Sequence, residues 1–105
     1  MGYFMKLKRQ KLERRPSHPG EILKTLWLDE LGMTQLQFAE KLSIITGGKI
    51  KISTMQTKLS EVINGKRSMS ADFAVILGQA LNTSPRMWMN LQVNLDIWEA
   101  EKEAA

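Results

Sequence analysis

STMQTKLSEVINGKR, residues 53–67, is the stretch whose reading decides the fold. Its apolar residues Met55, Leu59, Val62 and Ile63 recur at helical spacing and make one core-facing side. Ser53 with Gln56 predicts a capping box at the start. Asn64-Gly65 supplies a stop that tolerates positive φ. Thr54, Gln56, Thr57, Lys58 and Ser60 are left for solvent or a ligand. Just upstream, TQLQFAEKL (34–42) predicts a second helix. Thr34 and Gln37 form a T-x-x-Q capping box there, and Leu36, Phe38, Ala39 and Leu42 supply its buried side. Ala39 is small where a neighbouring helix has to approach closely. Two such helices in succession read as a helix-turn-helix pair.

The connection between them, IITGGKIKIS (44–53), is long, because such pairs are usually joined by about 3–4 residues. Gly47 and Gly48 divide two β-prone halves, which predicts an extended loop with a small hairpin and some residues lengthening the following helix. Four exposed isoleucines would be a liability, so Ile44, Ile45, Ile50 and Ile52 predict that part of this loop is buried.

Three further helices flank the pair. In PSHPGEILKTLWLDELG (16–32), Ser17 or His18 precedes the first turn, Pro19 suits its missing N–H, and Glu21 faces the positive end of the dipole. Ile22, Leu23, Leu26, Trp27 and Leu31 recur at helical spacing up to Gly32. SMSADFAVILGQALN (68–82) is capped by Ser68 or Ser70 and buries Phe73, Ala74, Ile76, Leu77 and Leu81. TSPRMWMNLQVNLDIWEAEKEAA (83–105) is capped by Ser84 with Pro85 first in the helix. Its stripe Trp88, Leu91, Leu95, Trp98 is either intramolecular core or a dimer interface. The fold class is therefore all-α: five helices in one domain over 18–105, preceded by a mobile basic arm over 1–17.

Charge is segregated. Residues 1–18 hold six cations against one anion, and residues 34–67 six against two, whereas the other segments are net acidic. That is the footprint of a polyanion binder. With no Cys and one His, the chain predicts no metal site and no disulfide framework. No cofactor motif is present, and no Ser–His–Asp or Cys–His constellation accompanies His18, so an enzyme is not expected. No apolar run approaches the roughly 18 residues of a membrane span, which predicts a cytoplasmic protein without membrane contact.

HPGEILKTLWLDELGMTQLQFAEKL (18–42), then LSEVINGKRSMSADFAVILGQALNTSPRMWMNLQ (59–92), strongly resemble the HigA-type antitoxins, also known as virulence-associated protein I. These belong to the lambda-repressor-like helix-turn-helix class. The resemblance implies a five-helix DNA-binding domain, a homodimer that represses its own operon, and neutralisation of a HigB-like toxin similar to the RelE-type endoribonucleases that cut mRNA on the ribosome. It places the third helix in the major groove of an inverted-repeat operator. Thr54, Gln56, Thr57, Lys58 and Ser60 become the base-side candidates, and Gln35, Asn64, Lys66 and Arg67 the flanking DNA contacts. Gln35 resembles the phosphate-clamping Gln of the family.

The chain departs from the family at the 44–53 insertion, about ten residues longer than the usual pattern. Lys49 and Lys51 then predict a wing on the DNA backbone. Two other functions stay open: a phage- or plasmid-type repressor without a toxin, and a dimeric interaction module whose loop blocks specific DNA reading.

Overall fold

The computed structural model describes residues 14–104. The basic arm expected over 1–17 falls mostly outside the described residues. Helix α1 comprises a first turn Pro19–Ile22, a wider π-type stretch Leu23–Leu28 and a last turn Asp29–Leu31. Next come α2 (Gln35–Ile45), α3 (Ile52–Ile63), α4 (Ala71–Leu81) and α5 (Pro85–Ala104). Among the described residues there is no strand, so the all-α expectation holds.

The helix ends follow local chemistry. Thr34 Oγ1 accepts from the Gln37 N–H at 3.1 Å while Gln37 Oε1 accepts from the Thr34 N–H at 2.9 Å. Ser70 Oγ accepts from the Phe73 N–H, and Ser84 Oγ from the Arg86 N–H, both at 3.2 Å. His18 caps α1 through Nδ1, which accepts the Gly20 N–H at 2.9 Å. Gly32, with φ 64°, ends the helix in the left-handed region.

In α1 the stripe expected from sequence is shifted. The π-type stretch closes i→i+5 rings, with the Asp29 N–H donating to the Lys24 carbonyl. Lys24 Nζ reaches both Asp29 carboxylate oxygens at 3.1 Å across the same five residues. The extra residue in each hydrogen-bonded ring lets Leu23 and Leu28 both point inward, and turns Leu26 and Leu31 outward at 59% and 55% exposure. Leu36 of α2 is also outward, correcting its assignment to the buried side.

The core joins Leu23 and Leu28 of α1, Phe38, Ala39 and Leu42 of α2, Met55, Leu59 and Val62 of α3, Phe73 and Leu77 of α4, and Trp88 of α5. Trp88 lies 6.4 Å from Trp27, tilted by 54°, and its indole N–H donates to Thr83 Oγ1 at 2.8 Å. Burying each of the core's leucine, valine, phenylalanine and methionine side chains contributes about 1.5–3 kcal/mol. Helix α2 packs on α3 and α4, α1 on α3 and α5, and α4 on α5.

Two contacts fix α3 within this frame. Gly20 lies against the end of α3: a Cβ there would fall on the Val62 carbonyl oxygen and 2.8 Å from Ile63 Cα. Gln92 of α5 is buried, accepts from the Met69 N–H at 2.8 Å and donates to Asp96 Oδ1 at 2.8 Å. It thereby ties α5 to the segment that follows α3.

Candidate nucleic-acid interface

The connection between α2 and α3 is a tight turn over 46–51, not the hairpin expected from its two β-prone halves. Gly47 and Gly48 both occupy the left-handed region, at φ 70° and 77°. They fold the chain back on α2: the Gly48 N–H donates to the Ser43 carbonyl and the Gly47 N–H to the Ile44 carbonyl, both at 2.9 Å. The buried Ser43 hydroxyl donates to the Ile50 carbonyl at 2.7 Å and pins the far side of the turn. An isolated two-stranded hairpin is marginal in water, so the inserted residues extend the helices instead. α2 runs on to Ile45, and α3 starts at Ile52.

This early start overturns the Ser53 capping box. Lys51 holds the cap position with no side-chain cap bond, and Ser53 is already helical, its carbonyl accepting from Thr57 Oγ1 at 3.1 Å. The isoleucine expectation divides. Ile45 and Ile50 are half-buried, whereas Ile44 is 77% exposed and Ile52 42%, because the extended helix ends outrun the core.

The predicted site residues are distributed around α3. Thr54, Gln56 and Thr57 are exposed, and Lys58 and Ser60 half-buried. Asn64, Lys66 and Arg67 are exposed just beyond the helix, and Lys49 and Lys51 just before it. Gln35 stands half-buried at the first position of α2. Asn64 Nδ2 donates to Ser60 Oγ at 3.3 Å. Arg67 is held in place: its Nε and Nη2 donate to Glu61 Oε1 at 2.9 and 2.7 Å. Glu61 is missing from the sequence-based site, since a pair six residues apart across a turn leaves no periodic signal.

His18 braces the same corner. Its ring packs beside Gly65, where a Cβ would lie 3.9 Å from His18 Cδ2, while Nδ1 caps α1. Burial, then the nearby Arg15, holds its pKa below the ordinary 6.5. Of the stripe expected at a dimer interface, Trp88 and Leu95 are used up in the protomer's own core, at 0% and 2% exposure. Leu91 and Trp98 are half-buried, and the large apolar side chains that α5 exposes are Val93 and Ile97. Among the described residues no acidic or His cluster fits a metal ion.

Known proteins share this fold. The chain is 31% identical to antitoxin HigA-1 of Vibrio cholerae over 86% of its own length and 75% of that protein's. The chain belongs to the HigA-type antitoxin family. An addiction-module antidote protein of the HigA family from Coxiella burnetii has the same fold, with TM-score 0.71, 33% identity, and 87% of this chain and 88% of that one covered. So does the Pseudomonas aeruginosa antitoxin HigA, solved with the higBA promoter, with TM-score 0.71, 30% identity, and 85% and 86% covered. No family model matches the chain. These HigA-type relatives are antitoxins rather than enzymes.

The motifs that carry the HigA resemblance prove to be largely architectural. In HPGE, His18 caps, Pro19 fills the first position and Gly20 admits the backbone of α3. In TSPRMWMNLQ, Thr83 receives the Trp88 indole and Gln92 anchors Met69. Among the described residues no helix is long and apolar enough to cross a membrane.

Proposed function

We propose that this chain is a cytoplasmic antitoxin that represses its own operon and neutralises a HigB-like, mRNA-cleaving toxin. One observation carries the DNA part. The outer side of α3 is a continuous polar face, flanked by exposed Lys49, Lys51, Lys66 and Arg67, in a chain whose HigA-type relative from Pseudomonas aeruginosa is seen with its promoter. The outer side of α3 enters the major groove, with Thr54, Gln56, Thr57, Lys58 and Ser60 towards the bases. Gln35, Asn64, Lys66 and Arg67 hold phosphates, and Lys49 and Lys51 add backbone contacts from the turn. The body over 18–105 does this work, with 1–17 as a basic arm. The partner is an inverted-repeat operator bound by a homodimer, paired through the side of α5 that exposes Val93 and Ile97, with the half-buried Trp98 beside them.

The test is fluorescence anisotropy with the DNA upstream of the gene against a scrambled duplex at several salt concentrations. A strong preference for the upstream DNA supports the repressor. Replacing Lys49 and Lys51 with Ala should lower the salt slope by about 0.9 for each phosphate no longer neutralised. Equal weak binding to both duplexes would instead support the interaction module. Co-purification with the product of the neighbouring gene separates an antitoxin from a repressor without a toxin.

A further inference from the structure

The hydroxyl of Thr57 is turned back on its own helix. It donates to the Ser53 carbonyl at 3.1 Å. In a helix, a threonine hydroxyl that bonds the preceding turn selects one of the two rotamers open to it, and so fixes where the methyl points. Thr57 is exposed, and stands two residues from Met55 and two from Leu59, both fully buried. Two residues of helix amount to a rotation of about 200°, which puts Thr57 on the side opposite the core. With the hydroxyl folded back along the axis, the side chain meets a neighbour on that side with its methyl group.

We infer that Thr57 reads a thymine through a methyl–methyl contact rather than through a hydrogen bond to a base edge. The inference rests on the operator-binding reading above and adds its chemistry. Thymine alone among the bases presents a methyl in the major groove, and threonine methyls suit it. The adjacent Gln56 is exposed, and its amide is suited to adenine, so the pair would favour an A·T-rich step. Exposed Lys49, Lys51 and Lys66 at the two ends of the same helix supply the complementary charge.

The experiment uses the full chain and the duplex upstream of its gene, with each thymine replaced in turn by uracil, which lacks only the C5-methyl. A replacement in one half-site should weaken the wild type about fourfold, the worth of one buried methyl, and the same replacement in both half-sites about fifteenfold. Thr57→Val keeps a methyl and discards the hydroxyl; it should bind like the wild type and stay sensitive to that uracil. Thr57→Ser keeps the hydroxyl and discards the methyl in both protomers; it should bind about fifteenfold more weakly and ignore the uracil. Thermal melts confirm that both variants are folded. A weak Val variant beside a Ser variant of wild-type affinity would overturn the inference in favour of a hydroxyl contact. So would specific binding in which no thymine is coupled to Thr57. A wild type with no preference for its own duplex would remove the operator reading and this inference together.

Discussion

His18 shows how one side chain can join two elements and make stability depend on pH. Accepting the Gly20 N–H at Nδ1 requires a neutral ring, with the proton on Nε2. Burial and Arg15 favour that neutral state, against the opposing pull of Glu21, the Arg67 backbone and Glu99. The unfolded chain therefore binds the proton more readily than the folded one. The stabilisation is fully present above 6.5 and is lost as pH falls from 6.5 towards the lower folded-state pKa. Urea unfolding at pH 7.5 and 5.5 should show this loss in the wild type. His18→Asn keeps a capping oxygen without titrating. It should be about 1 kcal/mol less stable at the higher pH, because the smaller side chain fills less of this buried corner, yet lose less on acidification.

At the scale of the helix, the start of α3 is the weak point. Lys51 occupies the cap without bonding to the first turn, leaving early N–H groups to solvent. Lys51→Ser should add about 1 kcal/mol of stability in chemical denaturation. The same change removes a cation from the turn proposed to face DNA, so operator affinity should drop and become less sensitive to salt. Higher stability and weaker binding would then come from one substitution. The elements also divide by how much of them was legible in the sequence. Thr34 with Gln37, and Ser84 with Pro85, act within one turn of themselves, so their caps could be read directly, while Ser70 is one of two candidates with Ser68. The turn over 46–51 could not, because the β preference of its isoleucines only matters if a partner strand is worth forming. Likewise the Glu61–Arg67 pair depends on where the chain turns after Asn64, not on any spacing within the helix.

At the scale of the whole molecule, the fold consumes two of the four apolar residues in the α5 stripe that the sequence leaves open between core and interface. Trp88 and Leu95 face inward, which leaves Val93 and Ile97, at 46% and 53% exposure, on the outer side of α5. Ile97→Asp should leave the protomer folded, since that side chain adds little to the core. For the homodimer proposed above, it should convert dimer to monomer in sedimentation velocity and weaken operator binding more than tenfold, because one half-site no longer recruits the other. A monomeric wild type would instead place the two-fold contact on the DNA itself.

The wide turn in α1 has a consequence for how this chain tolerates changes of length. Between Leu23 and Leu28 the helix holds one residue more than an α-helical ring requires. Leu26, at 59% exposure, is turned out of that stretch and leaves no gap in the core if removed. A chain shortened by this residue can close the ring as an ordinary α-helix, with His18 and Gly20 still meeting α3 at one end and Gly32 still stopping the helix at the other. The first helix thus carries slack, and a one-residue deletion there is a repair of regularity rather than a frameshift of its faces.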